Sequence, residues 1–150
     1  MKYKLKSGFT LIELLVVVII IGILAAIAIA NFGNAPAAAR DSERDSDASQ
    51  VESQFATYAA EAGAYPTTTQ VSTFATLQTA FDATTVANVN EETLTDPGGE
   101  YVNATASDYS YTALPTGCDN AGTADCTSYE LDVTFETKDP VDQTFTGQPL

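Results

Sequence analysis

A single carboxylate interrupts the most apolar stretch of the chain. Between Phe9 and Ala30 only Thr10 and Glu13 are polar among 22 residues, and Leu14 to Ala30 is an unbroken run of 17 small or apolar ones. A carboxylate at membrane depth costs about 2.5 to 3.5 kcal/mol on insertion scales, so it persists where it has a partner and a task. No lysine, arginine or histidine lies between Phe9 and Asn31. The partner cation must therefore come from another molecule or from a newly made α-amino group. Other candidates for chemistry are sparse. The chain has no histidine, no nucleophile motif and no phosphate-cradling glycine loop, and its carboxylates scatter without a defined pair, so no enzyme activity and no cofactor are expected. Cys118 and Cys126 bracket the stretch DNAGTAD. Two thiols without histidine are too few for a metal, and a structural disulfide is the expectation. Asn103-Ala104-Thr105 forms a glycosylation sequon and is read as a chance occurrence.

The elements that must position Glu13 follow from charge and length. The 150 residues hold six basic and twenty acidic side chains, for a net charge of -14. Such a surface repels phosphate, and no direct nucleic-acid partner is expected. Three of the six cations, Lys2, Lys4 and Lys6, precede the apolar run, while every acidic residue but Glu13 follows it. That asymmetry predicts a cytoplasmic N-terminus, a single membrane-spanning helix, and translocation of everything after about residue 31. The cysteines then lie in an oxidising compartment. A rival reading, a secreted or membrane-anchored binding domain, uses residues 1 to 30 only as signal or anchor, with a small-x-small end at Ala28-Ile29-Ala30. Glu13 would weaken such a signal for no gain.

The residues KSGFTLIELLVVVIIIGILAAIAI, from Lys6 to Ile29, resemble the N-terminus of type IV pilins and type II secretion pseudopilins. The resemblance implies cleavage by a prepilin peptidase between Gly8 and Phe9 and N-methylation of Phe9. It also implies pairing of Glu13, five residues into the processed chain, with the N-terminal amine of an adjacent subunit. The physical reading agrees, because cutting after Gly8 makes a cation at Phe9 and removes the lysine leader. Gly22 matches a family position where the helix loosens in assembled filaments, whereas Ala30 stands where many members carry proline; the first Gly/Pro break here is Gly33 with Pro36. The implied domains are a leader over 1–8, a transmembrane and polymerisation helix over 9–35, and a periplasmic or extracellular globular domain over 36–150. The implied partners are other copies in a helical filament, the prepilin peptidase and methyltransferase, and an inner-membrane pilus or secretion assembly machinery. The chain would be a single-pass membrane protein before assembly and part of a surface pilus after it, or alternatively a secretion pseudopilin.

The body reads as α+β. After Pro36 a helix extends to Gly63, with Val51, Phe55, Tyr58 and Ala62 on one face. The charges Arg40, Asp41, Glu43, Arg44 and Asp47 form i, i+3 pairs and read as a solvated face. A helix running from Phe9 to Ala62 would be about 80 Å long. Residues 67 to 81, with Val71, Phe74, Leu77 and Phe81 at three-to-four spacing, read as a short helix or an ordered connection. Thr95-Asp96-Pro97-Gly98-Gly99 is a turn, EYVNATA and DYSYTAL read as strands, and SYELDVTFET alternates strictly. Its Tyr129, Leu131, Val133 and Phe135 are expected to lie on the Val51, Phe55 and Tyr58 stripe. A long N-terminal helix packed on a small antiparallel sheet is also the fold the resemblance implies. The Cys118 to Cys126 loop reads as a polar surface loop fixed by its bridge. Calcium held by Asp119, Asn120 and Asp125, as in loops of some pseudopilins, is the weaker alternative, since the EF-hand pattern is absent.

Overall fold

The structure is a computed structural model. It describes residues 8–84, 86, 89–122 and 124–150, with the side chains of 30–32 excluded. Of the expected leader, residues 1–7 fall outside the described part.

Two compact units divide at Pro36. The first is dominated by helix α1 (Leu11–Phe32), which begins at an N-cap on Thr10. Its continuity through Gly22 and position 30 follows from sequence, since Leu, Ile and Ala supply helix propensity and the apolar run holds no proline. The helical assignment stops at Phe32, Gly33 and Asn34 form a turn, and a second helix, α2, runs over Ala35–Ala62. Pro36 sits in the first turn of α2, where its missing N–H has no partner to lose.

The second unit, Ala37–Leu150, holds the core. Two short helices follow α2: α3 over Thr68–Val71 and α4 over Phe74–Asp82. A 3-10 turn covers Glu91–Leu94. The strands are β1 (Tyr109–Leu114), β2 (Ser128–Thr134) and β3 (Asp142–Thr146), in an antiparallel sheet of order β1-β2-β3. Tyr111 pairs with Leu131, and Leu131 with Phe145, so the period of two puts their side chains on one face. That face meets α2. The Phe55 ring lies 5.4 Å from Tyr111 and 5.6 Å from Tyr129, both edge-on, and Tyr58 lies 4.8 Å from Phe81 of α4.

Four expectations need correction. On α2 the buried small residue of the stripe is Ala59; Ala62 is exposed. Asp41, Arg44 and Asp47, read as solvated, are buried. EYVNATA is not a strand: only an isolated bridge joins Tyr101 to Thr95. Asn103 there adopts φ +64°, and its side-chain amide accepts from Tyr111 N–H at 2.8 Å and donates to Tyr111 C=O at 3.2 Å. One side chain thus takes the place of a neighbouring strand, and asparagine tolerates the left-handed backbone this requires. Finally, β3 was not anticipated; it is a short, partly buried strand whose only large apolar side chain is Phe145.

Candidate functional site

Gly8, Phe9 and Thr10 precede α1 without regular structure, and all three are exposed. Phe9 is 85% accessible. An accessible, non-helical backbone is what a processing protease needs, and the Gly8–Phe9 bond lies in one. Immediately beyond it the helix is fixed by a capping box. Glu13 N–H donates to Thr10 Oγ1 at 3.3 Å, while the Glu13 carboxylate accepts from Thr10 N–H at 2.9 Å and from the Thr10 hydroxyl at 2.7 Å. The Thr10-Leu11-Ile12-Glu13 spacing carries this signal openly, since Ser or Thr followed three residues later by Glu closes two orphan N–H groups at a helix start. Charge reasoning overlooked it by searching only for a cation. Glu13 therefore has a neutral partner before any processing. The box also points the carboxylate back toward the chain entering the helix, the side on which Phe9 lies.

From Leu11 to Ile29 the large apolar side chains stay roughly half exposed or more. This stretch of 19 residues is long and apolar enough to cross a membrane.

The family model of the prokaryotic N-terminal methylation motif matches residues 3–29, the stretch that contains Gly8, Phe9 and the capping box. The type IV narrow pilus major component PilA5 of Thermus thermophilus is 43% identical over 65 residues. The N-terminal part of the chain is similar to that of a type IV pilin. The aligned part is 43% of this chain and 56% of that protein, so the chain spans little more than half the length of the relative. No solved structure matches.

A second constellation, unforeseen from sequence, lies in the globular unit where α2 begins. Arg44 is 2% exposed. Its guanidinium reaches Asp41 at 2.8 Å, Asp108 at 2.6 Å and Glu136 at 3.0 Å. Arg40 also bonds Glu136, at 2.5 and 2.6 Å, and Lys138 pairs with Asp45. Asp41 accepts from the N–H groups of Glu136 and Thr137 at 2.9 and 2.7 Å and from the Thr137 hydroxyl at 2.5 Å. Burial of Asp41 opposes its ionisation, but these bonds and Arg44 outweigh it and hold the carboxyl well below the usual range. Hydrogen bonds from Arg40, against some desolvation and with help from Arg44, hold Glu136 down to about 2. Asp47 goes the other way: burial pushes its carboxyl up, despite a 2.9 Å bond from the Tyr109 hydroxyl. The cluster clamps the segment after β2 onto the first turns of α2.

Cys118 and Cys126 are joined by a disulfide, and both are buried among core residues rather than lying in a loose polar loop. The loop between them docks through Asn120, which donates to Tyr65 C=O at 2.8 Å and accepts from Cys126 N–H at 2.7 Å. That amide is thereby used. Asp119 caps its own turn by accepting from Ala121 N–H at 3.0 Å. Among the described residues no group of three or more His, Cys, Asp or Glu side chains is placed to hold a metal ion.

Proposed function

We propose that this chain is the structural subunit of a type IV pilus or a closely related filament. In this reading residues 1–8 are a leader, residues 9–35 the membrane and polymerisation helix, and residues 36–150 the globular domain outside the cytoplasmic membrane. A prepilin peptidase cuts between Gly8 and Phe9, Phe9 is N-methylated, and the new amine pairs with Glu13 of an adjacent copy. Assembly machinery in the membrane extracts the subunit, whose lysine-bearing end faced the cytoplasm. The observation that carries the reading is a long helix whose large apolar side chains from Leu11 to Ile29 stay roughly half exposed or more, entered through a methylation-motif N-terminus. Burying one leucine- or isoleucine-sized side chain is worth about 1.5 to 3 kcal/mol, so a row of them is a strong association surface for copies of itself. The contact is the same on every copy but heterologous, and it propagates instead of closing. The name of the Thermus relative favours a pilus over a secretion filament.

The N-terminus of the mature protein tests the processing. Intact mass and N-terminal sequencing of the chain made with a prepilin peptidase are expected to give methylated Phe9; a chain starting at Asn31 or left at Met1 overturns the reading. Glu13→Gln separates two roles for the carboxylate. Glutamine still completes a capping box but cannot neutralise an amine. It is expected to be inserted and cut normally yet to lose filaments as completely as Glu13→Ala, scored by electron microscopy of sheared surface material. Filaments at the natural level from Glu13→Gln would reduce Glu13 to a helix cap.

A further inference from the structure

The globular unit from Ala37 to Leu150 carries nineteen acidic side chains and only three basic ones, Arg40, Arg44 and Lys138. All three sit in the clamp described above. Each is already paired within its own chain: Arg40 with Glu136, Arg44 with Asp41, Asp108 and Glu136, and Lys138 with Asp45. The clamp sets four carboxylates against three cations, so even the region that holds every fixed positive charge is not positive. Uncovered carboxylates lie on every kind of element: Glu52 on α2, Glu92 on the 3-10 turn, Asp125 in the disulfide loop, Asp132 on the outer face of β2 and Asp142 on β3. A second copy therefore offers nothing for these carboxylates to pair with. Recruiting a clamp cation would strip a carboxylate of its own subunit.

This rests on the filament reading, and we infer that the globular domains of adjacent copies meet without direct ion pairs and repel through their carboxylates until cations from solution neutralise that repulsion, so that salt strengthens the polymer. The apolar contact between helices is not screened, and a buried Phe9 amine to Glu13 pair is screened little. Repulsion between exposed carboxylates reaches about 30 Å at 0.01 M salt but only about 3 Å at 1 M. Adding salt removes the unfavourable contribution and leaves the favourable ones in place.

The test is a pelleting assay on purified filaments of the full processed chain, held well below the unfolding temperature of the domain, across NaCl concentrations. Released subunit is expected to be about tenfold higher at ~10 mM than at ~500 mM NaCl. The triple variant Glu52→Gln, Glu92→Gln, Asp132→Asn is expected to hold together at lower salt than the natural chain, with circular dichroism confirming its fold. MgCl2 at matched ionic strength distinguishes the form of the counterion: equal protection means diffuse screening, greater protection means bridging between carboxylates, and either supports the inference. Release that rises with NaCl, or does not change, overturns it. Absence of filaments at every salt concentration would instead overturn the filament reading.

Discussion

Helices α1 and α2 follow one another in the chain and obey the same hydrogen-bonding rules, yet they handle their side chains in opposite ways. In α1 the large apolar side chains from Leu11 to Ile29 stay roughly half exposed or more, and the one charged residue, Glu13, is held by a local cap. In α2 Val51 and Phe55 are fully buried, and so are Asp41 and Arg44, among charges that composition alone would leave in water. The difference teaches where each helix finds its partner. An apolar surface left open by its own chain is stable only in lipid or against other molecules, whereas α2 has already found its partner in the sheet. Secondary structure is common to both; what separates them is whether the complement is encoded in the same chain.

Deleting a large side chain from each helix should break that symmetry most clearly. Phe55 is wholly buried at the centre of the aromatic cluster with Tyr111, Tyr129 and Phe81. Phe55→Ala is expected to cost about 4 kcal/mol of domain stability, the range for large-to-small changes in a core. Ile20, on α1, is 51% exposed. Ile20→Ala should shift the same unfolding curve by less than about 0.5 kcal/mol, measured by urea titration of the detergent-solubilised chain with far-UV and tyrosine signals. Comparable losses from the two substitutions would mean that α1 is part of the domain's core after all.

The polar half of the contrast is next in size. Arg44→Ala removes the cation that Asp41 bonds directly, and two further carboxylates lose a partner with it. Breaking a buried pair costs about 3 to 5 kcal/mol; because Asp108 and Glu136 are more than a third exposed, about 3 kcal/mol is expected. A loss below about 1 kcal/mol would show that the clamp is an ordinary surface salt bridge.

Much of this division was legible in the sequence, and the parts that were not share a cause. The capped apolar run, the β2 alternation, the DPGG turn and the Val51, Phe55 and Tyr58 stripe are written within a few residues of one another, so local spacing suffices. The clamp is not. Asp41 and Arg44 have the same i, i+3 spacing whether they face water or a buried cluster, and what decides is Glu136, Thr137 and Asp108, 64 to 96 residues away from their α2 partners. Asn103 misled for a related reason: Tyr-Val-Asn-Ala-Thr reads as strand until the Asn side chain itself supplies the ladder. The Thr10 and Glu13 box was local and readable, and only the search for a cation hid it.

Acid should unlock the clamp, which sharpens the comparison further. Asp41 and Glu136 ionise more readily in the folded chain than their ordinary values near 3.9 and 4.3, Glu136 down to about 2. As pH falls the unfolded chain takes up those protons first. Their contribution is therefore complete above about pH 4.3; that of Glu136 is lost as the pH falls through about 2, and that of Asp41, which is held lower, is lost at still lower pH. Asp41→Asn should consequently destabilise the domain clearly at pH 7, by less than Arg44→Ala because one side-chain oxygen remains to accept, and by clearly less at pH 2. A deficit that stays constant between those pH values would assign Asp41 a packing role rather than an ionic one.

The smallest effect has the opposite sign. Asp47, one turn further along α2, is 7% exposed and has no cation on it; its carboxylate accepts from Tyr109 Oη while Glu43 and Glu92 repel it. Its folded carboxyl therefore releases a proton less readily than the unfolded one. The stability this group contributes is present below about pH 3.9 and lost as the pH rises through its raised folded value, so at neutral pH the charge is a burden. Asp47→Asn keeps an oxygen for the tyrosine hydroxyl and removes that charge. The variant is expected to gain up to about 0.5 kcal/mol at pH 7 and nothing at pH 3, read from the same urea curves. If it loses stability at neutral pH, the Asp47 charge must be engaged by a cation in solution, and the division of α2 into a paired acid at Asp41 and an unpaired one at Asp47 would have to be redrawn.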